Sequence, residues 1–430
     1  MDLILRNARL PDGTLTDIGI AEGRIAALGA TLQAEGETVD LHGRLTCAGL
    51  IESHIHLDKA CILDRVAPER GRAANPIPRM SAAKHGFTVD DVHERASRVL
   101  ARAVTQGTTR MRTHVELDPI VGLRSLEGVR RAIRDWAWAI DVEICVFPEE
   151  GLTNNPGTDD LLVAALESGV RVIGAAPGTD TDRPAQLLRV FELAKRYDAD
   201  IDLHIDFGNS PTPMDLDLVL RLTDRDHMHG RVAVAHVTRL STHTLDSQLH
   251  IAQQIADAGI TLSVLPATDL FLGGRDQTDN IRRNVVNANM LLGQGANATL
   301  GTNNILNAFT PFGDASLLRI ANLYAHIAQV SSNADIAACW DMITTRAARM
   351  LRAGQYGIAP GHPADMVVFD AASPAEAIRE LRQPLLAWKQ GRPTMRWERP
   401  VIVAPSGDAT AGHPWHPDRA EPLARRAHTT

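Results

Sequence analysis

The sequence predicts an α/β protein whose centre is a (β/α)8 TIM-like barrel, joined to a small β-sandwich domain built from both chain ends. Three observations predict this fold. Apolar strand-like runs recur about every 30 residues, helix-like amphipathic segments fill the gaps between them, and polar residues gather where the runs end. Buried parallel strands read as nearly continuous apolar runs, and eightfold alternation of strand and helix is typical of such a barrel.

The barrel is predicted to span residues 47–354. Four gaps between its strands carry apolar residues at helical spacing, over residues 89–106, 123–139, 184–197 and 246–258. The eight strand-like runs are, in chain order, LTCAGLIESHIHL, TRMRTHVEL, VEICVFP, VRVIGAAP, ADIDLHID, RVAVAHV, ITLSVLP and NATLGTN.

The two ends of the chain are predicted to form the small domain, over residues 1–46 and 355–404. Both contain short alternating runs separated by Gly and Pro, which is the pattern of short strands joined by turns. Residues 405–430 are rich in Pro, Ala and Arg and have no apolar period, so we predict an extended C-terminal tail there.

Composition narrows the classes of function. The chain has 430 residues, 44% of them hydrophobic, and a net charge of -8 without a basic cluster that would bind a phosphate backbone. It has no run of 18 uncharged apolar residues and no N-terminal leader pattern. We therefore expect a cytoplasmic protein without membrane or nucleic-acid partners. The 4 cysteines form no CxxC pair, which argues against a thiolate metal site.

Polar residues that follow the predicted barrel strands should surround one active site, because the carboxyl ends of the strands meet at one mouth. His54 and His56 lie on one face of the first strand, since side chains alternate along a strand. This pair alone is equally typical of two hydrogen-bonded core histidines. Further histidines at other strand ends favour a metal site, because neutral imidazole binds zinc and suits iron. The candidate site residues are His54, His56, Arg112, Glu149, His204, Asp206, His236, Asn303 and Asn304.

Several motifs carry a resemblance to a known family. They are GLIESHIHLDKA, RMRTHVELD, VFPEEGL, DLHID, VAVAHVT, PATDLFLGGRD and the late YGIAPGHPADMVVFD. With them the chain resembles the amidohydrolase superfamily, and within it the cytosine deaminase group, over nearly its whole length.

The resemblance implies that His54, His56 and His204 bind one catalytic metal ion, and that His236 holds the substrate, the leaving group or the attacking water. It also implies hydrolysis of a C–N bond in a cyclic amine, amidine or amide. The metal-bridging lysine of some amidohydrolases is absent from the segment GAAPGTDTD after the fourth strand. We therefore predict one divalent ion, Zn or Fe. Lys59 is expected to be a solvated residue at the barrel rim.

Two residues depart from the family pattern. Asn303 stands where the family has a metal-binding, proton-accepting aspartate, and Phe207 stands where the deaminases have a proton-shuttling glutamate. An amide supplies a neutral ligand oxygen but no basic site. Looser metal binding and a different proton carrier are therefore predicted, and cytosine deamination itself is disfavoured.

The sequence leaves the proton carrier open. Glu149 is the first candidate, because a carboxylate desolvated beside a metal pocket can act as acid or base. The alternative for Glu149 is an ion pair with Arg112 or with a cationic substrate. Asp206 is a second candidate, and His236 is the third and, from the resemblance, the one expected to touch the reacting centre. The residues predicted to bind substrate are Asp206, Asn304 and Arg112.

The sequence therefore predicts a metal-dependent hydrolase that cleaves a C–N bond of a small cyclic nitrogen compound through attack by a metal-activated water. The alternative is a barrel that binds metal weakly or not at all and acts as a lyase, an isomerase or a small-ligand binder. Phe207 and the two consecutive amides Asn303 and Asn304 favour that alternative. A small-molecule substrate is expected, and association into a homo-oligomer is left open.

Overall fold

Eight parallel strands form a barrel at the centre of the molecule. A computed structural model describes residues 1–33, 35–66, 75–275, 277–398 and 400. The eight strands follow one another in chain order around one sheet. Backbone hydrogen bonds join the last strand to the first, from Asn303 N to His54 O at 2.8 Å and from His56 N to Asn303 O at 2.9 Å. The predicted barrel is confirmed, and the predicted tail, 405–430, lies outside the described residues.

Strands and helices of the described residues are numbered in chain order. The strands are β1 (Leu3–Arg9), β2 (Leu15–Ala21), β3 (Arg24–Gly29), β4 (Glu37–Asp40), β5 (Thr46–Ala48), β6 (Leu50–Ile55), β7 (Thr108–Glu116), β8 (Asp141–Phe147), β9 (Val172–Ile173), β10 (Asp200–Ile205), β11 (Val232–His236), β12 (Thr261–Val264), β13 (Asn297–Leu300), β14 (Met366–Phe369), β15 (Pro384–Lys389) and β16 (Arg392–Arg396). The helices are α1 (Pro76–Lys84), α2 (Val89–Thr105), α3 (Arg124–Trp136), α4 (Thr158–Glu167), α5 (Arg183–Tyr197), α6 (Leu216–Arg225), α7 (Leu245–Asp257), α8 (Pro266–Leu272), α9 (Ala288–Gly293), α10 (Leu317–Ala328), α11 (Asn333–Met342), α12 (Thr345–Met350) and α13 (Pro374–Glu380), with 3-10 turns at Pro177–Thr179 and Thr238–Thr242.

The four predicted helices are confirmed as α2, α3, α5 and α7, with ends that agree to within three residues. Helix α2 shows why the pattern succeeds. The Thr88 side chain accepts from Asp91 N at 3.1 Å and so caps the first turn. The helix is followed by Gly107, whose φ of 84° favours glycine. No described helix is long and apolar enough to cross a lipid bilayer.

The first predicted run, LTCAGLIESHIHL, is divided between two sheets. Its first part, β5, pairs with β14 outside the barrel, and its second part, β6, begins the barrel. Gly49 lies between them, where a Cβ atom would be 2.1 Å from Thr109 Oγ1. Only glycine lets the backbone pass so close to β7.

Two four-stranded sheets from the chain ends lie outside the barrel, in the orders β3-β2-β1-β4 and β16-β15-β14-β5. They share one apolar core, in which Leu5 and Ile18 of the first sheet belong to the same cluster as Met366 and Trp388 of the second. Each such buried side chain contributes about 1.5–3 kcal/mol. The domain boundaries 1–46 and 355–404 stay a prediction.

Residues at the ends of three barrel strands have left-handed backbone angles. The angle φ is 54° at Asp206, 70° at His236 and 62° at Asn303. Asp, Asn and His adopt this conformation more often than other non-glycine residues, and such strain, about 1–3 kcal/mol per residue, is typically found at functional sites. These angles therefore indicate a functional site at the carboxyl end of the barrel.

Candidate active site

A cavity of about 750 Å³ opens at the carboxyl ends of the barrel strands. His54 lies beneath it, and Arg112 does not reach its wall. Lys59 and Phe207 also line it. The other predicted site residues all line the cavity: His56, Glu149, His204, Asp206, His236, Asn303 and Asn304.

Three histidines meet at the cavity floor. The Nε2 atom of His204 lies 3.0 Å from Nε2 of His54 and 3.2 Å from Nε2 of His56. Ring nitrogens that bind one tetrahedral zinc ion at about 2.0–2.1 Å lie about 3.3–3.4 Å from each other. The two observed separations therefore suit ligands of one ion, and a nitrogen of His114 also lies within 4.8 Å of nitrogens of His54 and His204.

All three imidazoles are neutral near pH 7. Burial, followed by the neighbouring histidines, lowers the pKa of His54 and of His204 well below 6.5. Burial, followed by the nearby ammonium of Lys59, does the same to the pKa of His56. A neutral imidazole keeps a lone pair for a cation, so these rings are competent ligands without losing a proton first.

Asn303, whose main chain bonds to His54 O and to His56 N, offers a side-chain oxygen at the same end of the barrel. Its Oδ1 atom is buried and has no hydrogen-bond partner among the described residues. A buried oxygen without a partner costs about 1–3 kcal/mol, and a cation would remove that cost. Three neutral imidazoles and one amide oxygen therefore fit a divalent metal ion.

Beneath the three histidines lies a second buried group, formed by His114 of β7 and Asp202 of β10, of which sequence reasoning missed Asp202. The ring of His114 stacks on that of His54, with centroids 3.8 Å apart. Asp202 places Oδ2 at 3.4 Å from His114 Nε2 and Oδ1 at 3.9 Å from His54 Nδ1. The position of Asp202 in the sequence could have indicated this contact, because Asp202 lies two residues before His204 and shares its face of β10.

Arg112, predicted to bind substrate, is held in this lower layer. Its guanidinium donates to Asp202 at 3.1 Å and to Glu143 at 2.8 Å. The side chain is 1% exposed. Its two carboxylate partners therefore compensate the buried charge of Arg112 at a distance from the cavity.

His236 lines the cavity and is held from behind by Asp269. The distance from His236 Nδ1 to Asp269 Oδ1 is 2.6 Å, and Asp269 is fully buried. Burial raises the pKa of Asp269, while the facing His236 and the N–H of Leu265 act in the opposite direction. Sequence reasoning missed Asp269, because one aspartate in PATDLF has no spacing that pairs it with a histidine 33 residues away.

Lys59 forms part of the cavity wall, so the expectation of a solvated rim lysine is wrong. Its side chain is 2% exposed, and its ammonium contacts the Glu149 carboxylate and lies 3.8 Å from Glu116 Oε2. Burial lowers the pKa of Lys59, but these carboxylates outweigh burial and hold it above 10.5. The partner of Glu149 is therefore Lys59, and the charge of this lysine is compensated inside the protein.

A second buried lysine extends this ion-pair network behind the cavity. Lys84, the last residue of α1, lies 2.5 Å from Glu116 Oε1 and also contacts Asp118 and Glu150. These three carboxylates are close enough together to hold a metal ion, but here the Lys84 ammonium makes the contacts. Lys84 thereby ties α1 to the barrel, and the first residues of α1 line the cavity.

Asp206 and Phe207 contribute very different surfaces. The Asp206 carboxylate accepts from Asp215 N at 2.7 Å and from Leu216 N at 3.0 Å, at the start of α6. Burial raises the pKa of Asp206 to about 6, although these N–H donors act against the shift. Phe207 places its ring centroid 5.6 Å from that of His236. Phe207 therefore gives the cavity an apolar wall beside His236.

Asp180 fastens the loop that carries Glu149. It accepts from Leu152 N at 2.7 Å, Thr153 N at 3.0 Å and Gln186 Nε2 at 2.7 Å. Burial opposes ionisation, but these donors and the Thr153 hydroxyl lower the pKa of Asp180 to about 2. The carboxylate is therefore bound most strongly in its charged form.

We expect Asp180→Asn to lower the free energy of unfolding at pH 7 by about 1–2 kcal/mol, after allowance for solvent screening. Because the folded pKa is depressed, this stability is present above the unfolded pKa of 3.8 and is lost as the pH falls toward about 2. Urea unfolding at several pH values checks this. The difference between the two proteins should shrink below about pH 4, and a constant difference would contradict the assignment.

A second cavity of about 610 Å³ adjoins the first and shares Gly274, Arg275 and Asn304 with it. Phe271 and Phe312 line it, with ring centroids 6.0 Å apart. The two cavities together have room for a ring and an attached apolar substituent.

The chain is similar to known proteins over most of its length. The chain is 28% identical over 420 residues to N-isopropylammelide isopropyl amidohydrolase of Pseudomonas sp. (strain ADP), covering 94% of this chain and 99% of that protein. It is 24% identical over 382 residues to a pterin deaminase of Rhizobium rhizogenes, covering 87% of each. The structure of 5-methylcytosine deaminase from Klebsiella pneumoniae with 5-fluorocytosine superposes with a TM-score of 0.89 and 26% identity, covering 93% of this chain and 99% of that one.

The family described as "Amidohydrolase family" matches residues 82–395, which is most of the chain. The resemblance inferred from the motifs is confirmed. The chain belongs to the amidohydrolase family and is an enzyme of the type that hydrolyses non-peptide C–N bonds.

Proposed function

We propose that this protein hydrolyses a C–N bond of a small cyclic nitrogen compound with the help of one divalent ion, Zn or Fe. His54, His56 and His204 hold the ion, and Asn303 is a weak oxygen ligand or holds the water by a hydrogen bond. The observation that supports this most strongly is the meeting of three neutral Nε2 atoms at the cavity floor. When bound, such an ion supplies Lewis acidity that lowers the pKa of a water molecule to about 7.

The cavity walls suit a flat, polar ring. The similar proteins are named for N-isopropylammelide, pterin and 5-methylcytosine. Here the Lys59–Glu149 pair and Asn304 offer donors and acceptors to a ring edge, and Phe207 offers an apolar face. The adjoining cavity leaves room for a substituent on that ring.

The proton carrier must be a group that faces the cavity. Asn303 and Phe207 cannot carry a proton, and Glu149 is paired with Lys59. Both oxygens of Asp206 accept from main-chain N–H groups at the start of α6. His236 has a ring nitrogen that the Asp269 contact leaves unused. We assign proton transfer to His236 and polarisation of the substrate to Glu149.

Metal analysis joined to a substrate screen tests this function. Purified protein should contain about one zinc or iron per chain. Cyclic amides, ureas and aminopyrimidines form the screen, and release of ammonia or amine is the readout. A protein that takes up no divalent ion, or a rate that survives complete chelation, would contradict the proposal.

Asn303→Asp should tighten metal binding at least about tenfold, because a charged ligand binds a cation more strongly than an amide and 1.4 kcal/mol corresponds to tenfold. Competition with a chelator of known affinity measures the change. The matched control is Asn287→Asp, which replaces the exposed N-cap of α9 by an equally good cap and should leave the affinity unchanged. Equal affinities for Asn303→Asp and the wild type would place residue 303 outside the ligand set.

A further inference from the structure

The proposed reaction needs a group that removes a proton from water and delivers it to the leaving nitrogen. The two positions where related deaminases hold such groups are occupied here by Asn303 and Phe207. A different carboxylate, that of Asp269, lies behind His236, fully buried and 2.6 Å from Nδ1. It comes from α8, which follows β12, and not from the end of β13.

Asp269 has a second donor that fixes its orientation. Its Oδ2 atom accepts from Leu265 N at 3.3 Å, while Oδ1 faces His236. A carboxylate that accepts at both oxygens places the imidazole hydrogen on Nδ1. The lone pair then remains on Nε2, the nitrogen away from Asp269, in a ring that lines the cavity.

We propose that Asp269 is the positioning residue that makes His236 the proton carrier of this enzyme. This inference rests on the proposed hydrolysis. The carboxylate missing at residue 303 is thereby replaced in function by one that acts through an imidazole. In this arrangement the proposed metal ligands are neutral, and the negative charge is that of Asp269, which contacts His236 on the side away from its Nε2 atom.

The proton transfer is balanced. The oxygen of water forms a bond to the substrate carbon while one water proton moves to Nε2 of His236. The resulting imidazolium, stabilised by the Asp269 carboxylate, gives that proton to the leaving nitrogen as the C–N bond breaks and its electron pair goes to nitrogen. One water is consumed, one amine or ammonia is released, and His236 returns to the neutral form.

Asp269→Asn tests the role with little change in shape. The N–H of Leu265 is a buried donor that needs an acceptor, so the amide oxygen should face Leu265 and the amide NH2 should face His236. That NH2 group donates to Nδ1 and moves the imidazole hydrogen to Nε2. We expect kcat to fall about 100-fold or more with KM close to the wild-type value.

The tautomer of His236 can be read without substrate or metal. Spectra of 15N-histidine-labelled, metal-free protein, assigned with His236→Gln, should show hydrogen on Nδ1 in the wild type and on Nε2 in Asp269→Asn. The matched control is Asp135→Asn, which alters a surface pair in which His93 Nε2 lies 2.7 Å from Asp135 Oδ2. This control should change neither kcat nor the His236 signal.

Two results would overturn the proposal: a wild-type His236 that carries hydrogen on Nε2, or an Asp269→Asn enzyme with unchanged kcat. A loss of activity with the wild-type tautomer retained would also count against it, because the carboxylate would then have only a structural role. If Asp269→Asn does not fold, the wild-type spectrum alone decides. Failure to find any hydrolysed compound counts against the proposed function, whereas a wrong tautomer counts against Asp269.

Discussion

Replacing His204 by alanine should remove the bound metal and lower kcat/KM about 1000-fold or more. His204 Nε2 is the atom that lies near both other ring nitrogens, at 3.0 and 3.2 Å, so its loss removes the proposed ligand that links His54 to His56. Lewis-acid catalysis is worth several kcal/mol, and each 1.36 kcal/mol is tenfold in rate. Metal content per chain, measured by elemental analysis beside the rate, checks both parts of the expectation.

The control for His204→Ala is His229→Ala. The side chain of His229 is 44% exposed, and its Nε2 atom lies 3.7 Å from Asp224 Oδ1. The His229→Ala protein should bind metal and turn over substrate like the wild type. A His204→Ala protein that keeps its metal and its rate would show that the three rings are core histidines and not a ligand set.

Replacing Lys84 by methionine should lower the free energy of unfolding by about 3–5 kcal/mol, the cost of leaving buried charges without their partner. Glu116, Asp118 and Glu150 would then face one another without the ammonium between them. Urea denaturation at pH 7 measures the loss. Because α1 contributes residues to the cavity wall, KM should also rise.

Lys195→Met is the matched control for Lys84→Met. Lys195 pairs with Asp226 at 2.9 Å, but its side chain is 53% exposed, so its loss should cost no more than about 1 kcal/mol. A similar cost for the two substitutions would mean that the buried network behind the cavity does not stabilise the fold.

The sequence alone predicts the barrel and the meeting of its histidines well, because both depend on local periodicity. Alternation along β6 places His54 and His56 on one face, and the same rule places His204 at the end of β10. Eight repeats of this pattern then leave one place where the strand ends converge.

The partners of those residues could not be predicted in this way. Lys59 forms an ion pair with Glu149, which follows another barrel strand. His236 contacts Asp269, which lies 33 residues later on a different element. Such pairs depend on how separate elements pack. Neither composition nor residue spacing gives the distance between two side chains on different elements. From the sequence, Phe207 and Asn303 indicate that two expected proton carriers are missing. Only the packing of the elements shows that the carboxylate of Asp269 lies beside His236.

The closure of the barrel depends on the main chain of residue 303 and not on its side chain. The first and last strands are held together there by the main-chain N–H and C=O of Asn303, and the side chain takes no part in those two hydrogen bonds. An acid or its amide at that point would therefore present a different charge to the cavity, while the same main-chain hydrogen bonds keep the barrel closed.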